Sequence, residues 1–163
     1  MRTRSPLLAA TIGAAILAAP LAASATTTEN LDRRAFDSTP DRAAGSLHIN
    51  GATAGPLGGY LDVTFTAVDG SLPTAPQTCE PITVDATLTV SPGETLAIVT
   101  TGEACTGFFG GPAVMNAYFT KKDVTYSGTA YSKAKVVGDG LIGANDMGFL
   151  GAQASVMTTV AWK

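Results

Sequence analysis

The clearest feature of the chain is a strict alternation of apolar and polar residues in several short segments. From Leu61 to Ala67 the odd positions are apolar and the even positions are polar or charged. From Ile82 to Val90 the even positions are apolar throughout. A period of two residues is that of a β-strand with one buried face. Both segments therefore predict half-buried strands.

Turn sequences separate these segments from others of the same kind. Asp69-Gly70, Ser91-Pro92-Gly93 and Asp139-Gly140 are typical turns, because Pro fixes φ and Gly accepts a positive φ. Further strands are predicted at 96–100, 114–120, 124–126, 129–137, 141–142, 149–154 and 156–162. Turns that recur about every eight to twelve residues favour an all-β, antiparallel β-sandwich of about seven to nine strands, immunoglobulin-like in general architecture. The alternative is a small closed β-barrel.

The turn at 91–93 predicts the register of the hairpin around it. A three-residue turn places two residues opposite one another when their numbers add up to 184. Leu88 then faces Leu96 on the apolar side of the hairpin. Cys79 faces Cys105 at its open end, and cross-strand neighbours lie close enough for a disulfide.

The N-terminus has the features of a secretory signal peptide in their usual order. Arg2 and Arg4 supply a positive start, an apolar run follows over 7–21, and Ala23-Ser24-Ala25 is a cleavage signal. The run is shorter than the roughly 20 residues that span a bilayer. We expect cleavage near Ala25 and secretion to the extracellular or cell-wall space. Because two cysteines in an exported chain usually pair, a Cys79–Cys105 disulfide is predicted.

The remaining chain divides by composition. Residues 26–45 are polar and charged with few apolar positions, which predicts a flexible N-terminal arm. Residues 46–163 then form a single β domain, with no further membrane span. After cleavage the chain has eight basic and thirteen acidic residues, which gives a net charge of −5. Such a balance argues against a nucleic-acid partner. Lys121, Lys122, Lys133 and Lys135 form a small cluster. We interpret them as solvent-exposed lysines on strand edges and turns, where lysine discourages edge-to-edge pairing.

Few residues suggest catalysis or metal binding. His48 is the only histidine, so multi-histidine metal sites are excluded, and neither a catalytic residue nor a cofactor is predicted. Paired carboxylates could support glycoside hydrolysis. The candidates for such a pair are Asp62, Glu80, Asp85, Glu94 and Glu103.

The most unusual segment places Phe108 and Phe109 in a glycine-rich stretch directly after Cys105. One interpretation is a binding loop, in which an exposed ring stacks on a sugar or anchors a protein partner. The other is that both rings cap one end of the core, since aromatic side chains are usually buried.

These observations predict a secreted, non-enzymatic binding or interaction module with a protein or carbohydrate partner, and Phe108 and Phe109 form its candidate binding loop. Two alternatives belong to other classes. One is a small secreted hydrolase that uses a carboxylate pair, and the other is a β-barrel that carries a small apolar ligand.

Overall fold

The computed structural model describes residues 26–54, 59–91 and 93–163, and the predicted signal peptide lies outside these ranges. Helices are absent from this part of the chain apart from one short 3-10 turn at Gly148–Leu150, and no helix here could cross a membrane. The described strands are β1 (Thr27–Asp37), β2 (Asp41–Ala43), β3 (Ser46–Ala52), β4 (Tyr60–Ala67), β5 (Cys79–Ser91), β6 (Glu94–Cys105), β7 (Val114–Phe119), β8 (Val124–Ser127), β9 (Ala134–Val136), β10 (Gly140–Asp146) and β11 (Ala152–Trp162).

All of these strands belong to one antiparallel sheet. Its order is β1-β11-β10-β7-β6-β5-β4-β3-β2, while β8 pairs with β6 and β9 pairs with β11. The predicted all-β, antiparallel class is therefore confirmed. The strand number exceeds the expected seven to nine because β1 and β2 lie in residues 26–45, where no strand was predicted. A single bridge, Ala35 to Thr53, connects β1 to the segment that follows β3.

The core is built from the apolar face that the alternation predicts. In β4, Leu61, Val63 and Phe65 have no exposed surface, and the residues between them point outward. Burial of a large apolar side chain stabilises the fold by about 1.5–3 kcal/mol. The same face of the neighbouring strands supplies Ile49, Leu88, Ile98, Met115, Phe119, Ile142, Ala154 and Val160.

The predicted register of the β5–β6 hairpin is confirmed over most of its length. Leu88 pairs with Leu96, and Cys79 pairs with Cys105. The two cysteines form a disulfide, with their Cα atoms 4.1 Å apart. The register shifts by one residue only beside the turn, beyond Thr89.

Residues 26–45 do not form the expected flexible arm. They contain β1 and β2, and β1 pairs with β11 along its whole length. Leu31, Arg33 and Ala35 alternate inward and are buried. The alternation was not recognised in the sequence because one of its inward positions is the charged residue Arg33. In the fold, Arg33 Nη2 lies 3.2 Å from Glu29 Oε1.

Two of the predicted strands near the C-terminus are also shorter than expected. Of the predicted strand 129–137, only β9 is regular, because the preceding loop is bound to Glu94 instead of to a neighbouring strand. The segment 149–154 begins with the 3-10 turn, and β11 starts only at Ala152.

Loss of the disulfide should destabilise the fold without changing it. Because the bond closes a loop between cysteines 26 residues apart, the chain-entropy relation predicts a loss of roughly 3–4 kcal/mol in the free energy of unfolding for Cys79→Ser/Cys105→Ser. Urea denaturation at pH 7 measures this value, with reduced wild type as the matched control. Equal unfolding midpoints for the variant and oxidised wild type would contradict the prediction.

Candidate binding surface

The loop after β6 presents both candidate phenylalanines to solvent. The exposed fraction is 71% for Phe108 and 92% for Phe109, and the ring centroids lie 5.1 Å apart, edge to face. The interpretation that both rings cap the core is therefore wrong. Exposure of two adjacent aromatic rings forgoes a large hydrophobic gain, which is unusual for a side chain that has only a structural role.

The segment before β5 holds this loop in place. Directly after the disulfide, the Thr106 N–H donates to the Thr78 carbonyl (2.9 Å), and the Thr78 N–H donates to Thr106 Oγ1 (3.0 Å). The Gln77 N–H donates to the Gly107 carbonyl (3.0 Å). Because the backbone is bonded on both sides of the rings, the phenylalanines stand on a fixed support.

Glycine is required where the loop turns back. Gly110 and Gly111 have φ values of 72° and 94°, which other residues rarely adopt. A Cβ on Gly110 would also lie 2.6 Å from the Thr74 carbonyl oxygen. The Gly111 N–H donates to that same carbonyl (3.1 Å). The glycines thus permit the close contact that anchors the loop.

A second exposed tip connects β10 to β11. The exposed fraction is 96% for Phe149 and 59% for Leu150. Gly148 and Gly151 flank this pair, and the Gly151 N–H donates to the Gly148 carbonyl (3.1 Å).

The first tip repeats this arrangement. Its sequence is Gly107-Phe108-Phe109-Gly110, and the Gly110 N–H donates to the Gly107 carbonyl (3.0 Å). Both tips are therefore four-residue turns of the form Gly-Phe-apolar-Gly, closed by the same hydrogen bond, with the apolar pair pointing outward.

The planar guanidinium of Arg42 anchors the second tip. Its Nη2 lies 2.7 Å from Asp146 Oδ1 and donates to the Gly148 carbonyl (2.6 Å), and its Nε lies 3.0 Å from Asp146 Oδ2. Asp146 Oδ1 also accepts from the Gly148 N–H (2.9 Å). These bonds from the Arg42 guanidinium, which we call the Arg42 fork, connect β2 to the turn between β10 and β11. β2 lies at one end of the strand order.

The two tips belong to one surface. A Cβ on Gly148 would lie 4.0 Å from Pro112 in the first loop, and one on Gly151 would lie 3.0 Å from the Phe36 ring. Phe36 is itself 54% exposed. We define the aromatic edge as Phe36, Phe108, Phe109, Phe149 and Leu150.

Acidic residues flank the aromatic edge. β1 and β10 end at Asp37 and Asp146, and β2 begins at Asp41. Glu80 and Glu103 lie beside the disulfide at the open end of the β5–β6 hairpin. The lysines lie away from this edge. They follow the last residues of β7 and β11 and surround or belong to β9. Because Asp146 is paired with Arg42, the carboxylates of Asp37, Asp41, Glu80 and Glu103 supply the negative charge beside the aromatic edge.

The structure brings together only two of the five candidate catalytic carboxylates. Asp62 and Asp85 line one open groove of about 550 Å³ on the polar face of β4 and β5. His48 Nε2 lies 3.1 Å from Asp62 Oδ1. Within the described ranges, no group of three or more His, Cys, Asp or Glu side chains has the arrangement of a metal site. The carboxylate-pair hydrolase stays a prediction.

Glu94, another of those candidates, has a structural role. Its side chain is buried and accepts hydrogen bonds from the Tyr126 hydroxyl and from the N–H groups of Thr129 (3.0 Å) and Ala130 (2.7 Å). The Tyr126 bond is the main reason that the pKa of Glu94 lies below its ordinary value, and the Ala130 N–H adds to it. The lowered pKa is the opposite of what a general acid needs. Because the side chain is buried and both of its oxygens accept these hydrogen bonds, Glu94 anchors the loop after β8.

Comparison with known proteins gives no relative: no family model, curated protein or solved structure matches the chain. The geometry of the aromatic edge alone therefore carries the functional proposal.

The Arg42–Asp146 pair should make the free energy of unfolding depend on pH in the acidic range. Burial alone would raise the pKa of Asp146, but hydrogen bonds from Arg42 and the Gly148 N–H, with the charge of Arg42, lower it below its ordinary value. A carboxyl group whose pKa is lower in the folded than in the unfolded state stabilises the fold at pH values above its unfolded-state pKa, which is near 4. This stabilisation is lost as pH falls through the folded-state pKa. At pH 7, Asp146→Asn should lose ~1 kcal/mol, a magnitude that allows for solvent screening.

Urea titrations of wild type and Asp146→Asn at pH 7 and pH 3 measure this effect. The difference between them should shrink at pH 3, because the wild-type carboxyl is then increasingly protonated. Asp32→Asn, which removes an exposed carboxylate from β1, is the matched control. A difference that is the same at both pH values would contradict the assignment.

Proposed function

We propose that the chain is a secreted, non-enzymatic binding module that contacts an extracellular protein partner through the aromatic edge. The observation that carries the proposal is the repeated Gly-Phe-apolar-Gly turn, which exposes its apolar pair twice on one surface. Contiguous exposed apolar side chains typically mark interaction sites, and aromatic anchors supply much of the energy of protein interfaces.

The support beneath the rings favours binding. Both tips are tied by backbone hydrogen bonds, one beside the Cys79–Cys105 disulfide and the other through the Arg42 fork. A surface that is already ordered loses little conformational entropy on association, so more of the contact energy appears as affinity. The disulfide also suits an oxidising, extracellular location, which agrees with the export signal predicted in residues 1–25.

The arrangement of the rings favours a protein over a carbohydrate. The planes of Phe108 and Phe109 are 88° apart, so they do not form the flat platform on which a sugar ring stacks. Perpendicular rings instead fill a pocket between side chains. The acidic flank at Asp37 and Asp41 favours a partner whose apolar pocket has a basic rim.

Removal of one ring from each tip should weaken binding while leaving the fold intact. A random-peptide phage library is selected on immobilised oxidised wild type, and the enriched peptides are titrated by fluorescence polarisation. We expect peptides that combine apolar and basic residues, bound about tenfold or more weakly by Phe109→Ser/Phe149→Ser, which corresponds to a loss of about 1.4 kcal/mol or more.

Tyr118→Ser is the matched control, because Tyr118 is an aromatic residue on β7 with an exposed fraction of 73% and lies outside the aromatic edge. Equal loss in both variants, or unchanged affinity in the double variant, would overturn the proposal. Binding on a glycan array that depends on Phe109, without any enriched peptide, would contradict the protein partner.

A further inference from the structure

Every lysine of this acidic chain lies in one region of the surface. Two grooves, of about 450 and 350 Å³, adjoin there and share Lys135 and Val137 among their lining residues. The lysines that line one or both grooves are Lys121, Lys122, Lys133, Lys135 and Lys163. The sequence shows only two short pairs of lysines and an isolated one at the C-terminus, and the fold brings them together.

Three separate parts of the chain supply these lysines, and the fold fixes all three. Lys121 and Lys122 lie in the turn after β7, and Lys135 lies in β9. The Lys163 N–H donates to the Lys133 carbonyl (2.9 Å), which ties the C-terminus to the start of β9. Glu94 holds the loop before β9, so the grooves have an ordered frame.

The lysine side chains have no charged partner in the part of the chain that the structure describes. The ion pairs there use Arg33, Arg34, Arg42 or His48, and none uses a lysine. Asp139 is the one residue with a carboxylate side chain that lines either groove. Unpaired like charges repel one another, so this arrangement is unfavourable for the free protein and favourable once an anion is bound.

We infer that the two lysine grooves bind a polyanionic glycan, an extended carbohydrate chain that carries phosphate, sulfate or carboxylate groups. Two adjoining grooves that share lining residues suit an extended chain rather than a single small molecule. Lysine ammonium groups act as point charges that tolerate irregular anion spacing. The groove linings contain Val136, Val137 and Ala161 but no aromatic side chain, whereas single-stranded nucleic acids are usually bound by stacking their bases on aromatic rings.

The test uses oxidised full-length mature protein and fluorescently labelled dextran sulfate, followed by fluorescence anisotropy. We expect binding that weakens as salt rises from about 50 to 200 mM, because bound counterions are released on association. Lys121→Gln/Lys122→Gln/Lys135→Gln should bind about tenfold or more weakly with a shallower salt dependence. Lys135→Arg, which keeps the charge, should bind as wild type does.

Arg34→Gln is the matched control, since Arg34 is an exposed cation on β1 outside both grooves. It should bind dextran sulfate as wild type does, and so should Phe109→Ser/Phe149→Ser, which separates this site from the aromatic edge. Circular dichroism and the thermal midpoint confirm that each variant is folded.

Failure to bind dextran sulfate, or equal binding of neutral dextran, would overturn the inference. Unchanged affinity in the triple variant would show that the lysines are not the site. Single-stranded DNA that binds as tightly as dextran sulfate, with the same loss in the triple variant, would overturn the glycan as the ligand class.

Discussion

The pairing of β5 with β6 is the constraint on which both proposed surfaces depend. Its register places Cys79 against Cys105 at the open end of the hairpin, where the Phe108–Phe109 turn begins. It also places Glu94 at the closed end, where the buried carboxylate binds the loop that leads into β9. A shift of one residue would turn the apolar face outward and separate the cysteines, so core, disulfide and surfaces require the same register.

The aromatic edge combines two anchors of different physical kinds. The first tip rests on a covalent bond and a backbone ladder, and the second rests on charge-assisted hydrogen bonds from Arg42. Arg42 reaches from β2 across to the β10–β11 turn, so it joins parts of the sheet that are far apart in strand order. Lysine in its place would lack the planar fork that bonds Asp146 and the Gly148 carbonyl together.

The alternating pattern predicted β4 and β5 because each has one apolar and one polar face, and the turn at 91–93 predicted the pairing of β5 with β6. The pattern failed for β1, where Arg33 occupies a buried position, since a charge is compatible with burial only through a partner that sequence does not reveal. Phe108 and Phe109 were found because they stand together among glycines. Phe149 and Leu150 carry the same signal, Gly on both sides of an apolar pair, but were assigned to a strand. Arg42 gave no signal, because its partner Asp146 is 104 residues away.

Binding through the aromatic edge requires its phenylalanines to be exposed on ordered backbone. Nuclear magnetic resonance with a soluble paramagnetic agent tests it by measuring the relaxation of each phenylalanine ring. Strong enhancement is predicted for Phe109 and Phe149 and weak enhancement for the buried Phe65 and Phe119, with backbone order at 107–111 equal to that of the strands. Rings at Phe109 and Phe149 as protected as Phe65, or a backbone at 107–111 that is mobile on the nanosecond timescale, would contradict the account.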